Sequence, residues 1–315
     1  MPRLVSLQVL RFVAAALVIL CHSYEPARIG AVGVDIFFVI SGFIITRMMS
    51  TKTSAQFIRD RLLRIYPIYW VCAVPTALVA VYIGATTLPR TLTSVTLWPV
   101  FGGTYLQPYL VLGWTLSFEM LFYACAALVL VDRRVLWVIA IGFPLAMAAA
   151  FAASAPLFRF IGNPMIIEFL MGVLIARANG GAKPVAGLLA AALAIGLLAL
   201  SDAERLYLPL RIFELTAPDR VLAWGIPAAM LVWGALQLEP YVQNWRLLPH
   251  LGDASYSIYL SQGTGLMLAV LLPWPLQIAA AVAFGTAVHN GIEMPMLRAL
   301  RRRVRLPCKA SSALT

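Results

Sequence analysis

Long apolar stretches, interrupted by short polar, basic or proline-bearing breaks, recur from one end of the chain to the other. A hydrocarbon core of about 30 Å takes about 20 helical residues to cross. On that measure the pattern predicts spans near residues 5–24, 31–50, 67–88, 113–131, 134–153, 164–177, 184–201, 220–238, 252–271 and 275–297. The sixth is short, the seventh carries Gly187 and Gly196, and the tight proline turn "LPWP" separates the last two. Between the second and third spans, "TSAQFIRDRLLRIYP" predicts a cytoplasmic surface helix. Thr53 and Gln56 have capping-box spacing, Phe57, Ile58, Leu62 and Ile65 supply an apolar side, and Pro67 marks its end before the next span. No internal repeat is evident, and alanine-rich patches suit close helix packing. The expected fold is an all-α polytopic integral membrane protein with about ten transmembrane helices: one domain over residues 1–300, then a basic cytoplasmic tail over 301–315.

Composition agrees. Of 315 residues 62% are hydrophobic and only 12% charged, against roughly 25% charged in soluble domains. A net charge of +11 raises nucleic acid as a partner, but the basic residues cluster at loop ends between apolar spans instead of forming an aromatic-laced surface. Membrane topology accounts for them, and no nucleic-acid partner is expected. With the N-terminus inside, Arg47, Lys52, Arg59, Arg61, Arg64, Arg133, Arg134, Arg177, Lys183, Arg246 and the tail "RALRRRVRLPCK" fall on the cytoplasmic side. Outside remain Arg28, Arg90, Arg159, Arg205, Arg211 and Arg220, and the outer loop around 201–219 is nearly balanced by Asp202, Glu204, Glu214 and Asp219. Both termini inside agree with an even number of spans. Residues 1–24 have the outline of a secretory signal, but Arg11 interrupts the apolar core, so the segment is expected to stay as the first span. Cys21, Cys72, Cys125 and Cys308 show no CxxC spacing, and with only His22, His250 and His289 no metal site is predicted.

Ionisable residues inside apolar spans are costly and face a bundle interior or a wet cavity. His22 falls near the outer end of the first span, Asp35 one turn below the outer start of the second, and Glu119 less than two turns from the outer start of the fourth. The three are therefore expected at similar depth, with Ser41, Trp114 and Ser117 lining the same chamber. An imidazole beside carboxylates suits acid-base chemistry; a wetted histidine at the membrane interface is the bland alternative for His22 alone. Arg11 lies eleven residues before His22, about 16 Å along a helix, and reads equally as a snorkelling side chain or a functional one. Arg61 and Arg64 share one side of the surface helix, where they suit either a phosphorylated ligand or a positive-inside anchor, with Asp60 spaced to pair Arg64. His250 and His289 lie near opposite ends of their spans and read as structural.

The succession "LQVLRFVAAALVILCHS", "GVDIFFVISGFIITR", "FIRDRLLRIYPIYW", "GWTLSFEMLFYA", "GDASYSIYLSQ" and "HNGIEMPM" resembles the membrane-bound acyltransferase 3 family, and within it the bacterial exopolysaccharide O-acetyltransferases. The resemblance implies a bacterial inner-membrane enzyme that moves an acetyl or similar acyl group from cytoplasmic acyl-coenzyme A to a hydroxyl of a cell-surface glycan or lipid-linked oligosaccharide, with no permanently bound cofactor. By that resemblance Arg11 and His22 match the required arginine and histidine of the first span. Arg61 and Arg64 match the RxxR motif linked to the acyl donor. Asp35, Ser41, Trp114, Ser117 and Glu119 match the second-span and fourth-span motifs; Ser255, Tyr256 and Tyr259 match "SYSxYL", and Glu293 with Pro295 matches "ExP". Gln262 stands where the family often has a histidine. The implied roles are His22 as general base, Glu119 and Asp35 as its orienting carboxylates, and Arg11, Arg61 and Arg64 as donor-holding groups, with Ser41, Trp114, Ser117 and Tyr256 on the substrate side. Transfer through an acyl-histidine is equally open at this stage. The rival readings are an acyltransferase for a lipid or small-molecule acceptor, and a polytopic transporter or glycan carrier without acyl chemistry.

Overall fold

The computed structural model describes residues 4–152, 155–178, 180–207 and 217–305. Helix dominates, and helices occur at all ten places where spans are expected. They are α1 (Val5–Ser23), α2 (Val32–Met49), α3 (Ser54–Tyr82), α4 (Leu88–Thr96), α5 (Gly113–Val131), α6 (Val135–Ala152), α7 (Pro156–Ile161), α8 (Ile166–Ala178), α9 (Pro184–Ala199), α10 (Ala203–Tyr207), α11 (Ala217–Arg220), α12 (Ile226–Gln237), α13 (Glu239–Val242), α14 (Leu247–Leu268), α15 (Trp274–Val288) and α16 (Met294–Arg305). A 3₁₀ segment, Glu25–Ala31, leads into α2, and π-helical turns join α11 to α12 at Val221–Gly225 and α15 to α16 at His289–Glu293. Among the described residues, six helical units are long and apolar enough to cross a membrane: 5–23, 25–49, 54–82, 113–131, 135–152 and 156–178. The others fall short for visible reasons. α9 has only 16 residues, and α14 carries His250, Asp253, Ser255, Ser257 and Gln262 among its apolar residues.

Local sequence explains several boundaries. Thr53 accepts from the Gln56 N–H while Gln56 reaches back to the Thr53 N–H, so the predicted capping box starts α3. Pro67 does not end that helix. The expected surface helix and third span form one 29-residue helix with Pro67 and Pro75 inside it. Each proline forfeits one backbone bond, and buried Phe57, Ile65, Ile68, Tyr69 and Cys72 hold the helix in place on both sides of Pro67. The start of α1 is capped from a distance: the Glu239 carboxylate accepts from the N–H groups of Val5 and Ser6, both at 2.8 Å. An anion there satisfies free donors and complements the helix dipole. Residues 89–112, expected only as a connection, fold into α4 and a hairpin pairing Val100–Phe101 with Thr104–Tyr105. Gly102 and Gly103 both take positive φ at its turn, as a two-residue hairpin of this hand requires.

The centre of the bundle is α2, buried along most of its length against α1, α5, α8 and α12. Its crossing with α8 is close because two glycines meet. A Cβ on Gly42 would stand 2.0 Å from the Phe169 carbonyl oxygen, and one on Gly172 equally close to that of Val39. Gly42→Ala is therefore expected to force the helices apart at about 1–3 kcal/mol. The check is a thermal melt in detergent, where an unchanged midpoint would contradict so tight a crossing.

Arg220, expected on the outer side at the start of the eighth span, is buried at 4% exposure and paired with Asp35, which is 0% exposed. Residues 208–216, including Arg211 and Glu214, and the residues from 306 onward, including Cys308, lie outside the described residues.

Candidate active site

Five helices converge on a cavity of about 100 Å³. α1 contributes Arg11, α2 Ser41, α3 Arg61 and Arg64, α5 Glu119 and Tyr123, and α14 Tyr256 and Tyr259, amid Phe37, Phe38, Ile40 and Ile44. Helical spacing makes this possible: Arg61 and Arg64 are three apart, Thr115, Glu119 and Tyr123 four apart, and Tyr256 and Tyr259 three apart, so each set shares one face. The chamber holds three cations and one carboxylate from its own lining.

Glu119 is the chamber's acceptor. Its Oε1 receives the Ser41 hydroxyl at 3.1 Å and the Tyr123 hydroxyl in a short bond. The Arg61 guanidinium stands 5.8 Å from the centre of the Tyr123 ring, and that of Arg64 stands 5.9 Å from the Tyr256 ring. Arg64 also lies 3.8 Å from Oε1 of the fully buried Glu293. The other Glu293 oxygen accepts from Ser257 at 2.8 Å and lies 2.6 Å from His289 Nδ1. Arg11 donates to Gln8 at 3.2 Å.

A second cavity of about 340 Å³ adjoins the first, lined by Lys52, Arg59, Asp60, Arg61, Leu63, Arg64, Leu297 and Arg301. Five cations face one carboxylate there. Asp60 pairs with Lys52 and Arg59 and not with Arg64, contrary to the spacing expectation. That choice leaves Arg64 turned toward the chamber. Arg61 and Arg64 line both cavities.

The structure separates the three groups expected at one depth. Glu119 is in the chamber. Asp35 is held by Arg220 through two bonds, Nε to Oδ1 at 3.0 Å and Nη2 to Oδ2 at 2.7 Å. That guanidinium also donates to the Ala31 carbonyl and lies 4.6 Å from the Trp224 ring. The expectation that Asp35 orients His22 gives way to a buried ion pair with no bond to the imidazole, because the paired guanidinium offsets the cost of so buried a carboxylate. His22 is exposed at the end of α1. Its Nδ1 lies 2.7 Å from the Val18 carbonyl, which can only accept, so Nδ1 carries a proton and in the neutral imidazole Nε2 holds the lone pair. Glu119 makes no bond to it either; its partners are Ser41 and Tyr123. Trp114 and Ser117 stand outside the chamber lining. The Trp114 ring packs edge-on against Phe38 and Phe118, and Ser117 bonds the Gly113 carbonyl.

Sequence reasoning missed three features. Tyr123 stands four residues after Glu119, a spacing that places it on the same face. Glu168, fully buried with Asp35 and Arg220 as its charged neighbours, is an ionisable residue in the sixth predicted span. His250 and His289 stand at opposite ends of their own helices, but those helices run antiparallel, so the rings meet at 6.2 Å.

The sequence profile of a family described as "Acyltransferase domain" matches residues 4–288. The chain is 35% identical over 302 residues to the exopolysaccharide production protein ExoZ of Rhizobium meliloti (strain 1021), covering 87% of this chain and 92% of that one. No solved structure gives a significant match.

Proposed function

Because the chain belongs to the acyltransferase 3 family, we propose that it is a multi-pass O-acyltransferase of a bacterial inner membrane, transferring an acetyl or similar acyl group from cytoplasmic acyl-coenzyme A to a hydroxyl of an exopolysaccharide. The observation that carries this reading is that Arg61 and Arg64 line both the basic cavity and the central chamber. A donor with phosphates at one end and a thioester at the other matches that layout. Its phosphates meet Arg59, Arg61, Arg64, Lys52 and Arg301, and its slender arm threads the chamber past Arg11 and Glu119, carrying the acyl end toward His22. Arginine is suited to the phosphate end because its planar fork pairs with phosphate oxygens in two parallel bonds. In this reading both termini and the surface part of α3 face the cytoplasm, and the ten helical segments all cross or re-enter the membrane.

The acceptor arrives from the other side. The unprotonated Nε2 of His22 takes the proton of the acceptor hydroxyl as its oxygen attacks the thioester carbon. The C–O ester bond forms, the C–S bond breaks, and the proton passes to the departing thiolate of coenzyme A. Arg11 and His22 are eleven residues apart on one helix, about 16 Å, a distance for the slender arm of the donor to bridge. The relative's name, an exopolysaccharide production protein, supports a glycan acceptor.

The test is mass spectrometry of surface polysaccharide from cells lacking the protein and complemented with wild type or with Arg61→Ala plus Arg64→Ala, at equal membrane levels. Esters are expected to vanish without the protein and return only with wild type. In membranes, the double variant is expected to raise KM for acyl-coenzyme A about a hundredfold, since hydrogen bonds to charged groups contribute about 1.5–3 kcal/mol each. Unchanged esters throughout would move the search to lipid or small-molecule acceptors, or to transport.

A further inference from the structure

Tyr123 has no role assigned by the motifs of the sequence, yet it touches both halves of the site. It is 2% exposed, on the same face of α5 as Glu119. Its hydroxyl must be the donor to Glu119, since a carboxylate only accepts. Its ring carries the Arg61 guanidinium at 5.8 Å, and Phe57 packs edge-on at 6.0 Å, fixing the ring plane. Ser41 donates to the same Glu119 oxygen, Oε1. Two hydroxyls thus anchor one oxygen and leave Oε2 outside both bonds.

We infer that Tyr123 is a positioning residue that couples the donor-holding Arg61 to the chamber carboxylate, its ring seating the guanidinium and its hydroxyl setting the orientation of Glu119. The inference rests on the reading of Arg61 as a donor-binding group. A phosphate that engages Arg61 pulls on a cation seated on the Tyr123 ring, and the rigid ring transmits the seat to Glu119 through its hydroxyl. Donor binding and carboxylate orientation share one side chain, so the two are energetically coupled. The hydroxyl meets both Glu119 and Arg61 while the ring carries the face of the guanidinium, and different variants remove them.

The experiment uses the purified full-length protein in detergent, with coenzyme A as the binding probe and thiol release from acetyl-coenzyme A in the presence of de-esterified polysaccharide from deletion cells as the activity. Tyr123→Phe keeps the ring and loses the bond to Glu119. It is expected to lower kcat about tenfold or more, with the Kd for coenzyme A raised by no more than about threefold, since the hydroxyl's contact with Arg61 is lost while the ring stays in place. Tyr123→Leu loses the ring as well and is expected to weaken coenzyme A binding a further threefold to tenfold or so. Ser41→Ala, which removes the other hydroxyl on Oε1, is expected to lower kcat without changing that Kd. Retained coenzyme A binding by Tyr123→Phe also reports an intact fold. A Tyr123→Phe enzyme with wild-type kcat, or a Tyr123→Leu protein with wild-type affinity, overturns the inference alone. A wild-type protein that binds no coenzyme A overturns the donor reading and the inference together.

Discussion

Replacing His22 by alanine is expected to abolish ester formation on the acceptor, lowering kcat by about 10²–10⁴-fold, the range for losing a general base. The protein itself should survive the change. The imidazole is exposed at the end of α1, and its bonds are to groups within one turn, the Val18 carbonyl and the Cys21 thiol. Membrane abundance and coenzyme A binding are therefore expected at wild-type levels, because Arg11 stands about 16 Å away along the same helix and Arg61 and Arg64 belong to α3. Polysaccharide ester content, measured by mass spectrometry at matched protein levels, checks the prediction. Ester content within about threefold of wild type would remove His22 from the chemistry, given the size of the expected loss. Intact-protein mass spectrometry after incubation with donor alone adds a second reading: an acyl adduct on His22 would assign the two-step covalent route in place of direct attack.

The second large effect concerns stability. Arg220→Met leaves Asp35 and Glu168, both fully buried, without the guanidinium that faces them. Breaking such a pair from one side costs about 3–5 kcal/mol. The expected result is a strongly lowered melting midpoint in detergent and reduced membrane levels. Adding Asp35→Asn should restore much of the loss, since the second change removes the carboxylate that Arg220 bonds directly, leaving Glu168 as the one buried acid there. This pattern separates a structural ion pair from a catalytic one. If Asp35→Asn and Arg220→Met each left the midpoint unchanged but stopped transfer, Asp35 would return to the reacting groups.

Much of the architecture was legible because a lipid environment imposes simple rules. Helices occur wherever about 20 apolar residues recur, and the Thr53–Gln56 capping box forms as its spacing predicts. Errors came where local rules met tertiary packing. Pro67 reads as a stop, yet α3 runs through it because apolar residues on both sides are buried. The hairpin that Gly102 and Gly103 turn in the 89–112 connection was visible only in the fold.

In the site, what the sequence by itself determined was which residues can share a face: Arg61 with Arg64, Glu119 with Tyr123, Tyr256 with Tyr259. Those follow from 3.6 residues per turn and need no neighbours. Depth along a helix was equally readable, and it suggested one cluster of His22, Asp35 and Glu119. Depth does not specify rotation about the helix axis, and rotation is set by packing. Only the tertiary structure decided that Asp35 turns to Arg220, Glu119 turns to Ser41 and Tyr123, and His22 faces outward with Nδ1 on the Val18 carbonyl. The close contact of Gly42 and Gly172 locks α2 against α8, and with it the side of the bundle on which each carboxylate finds its partner.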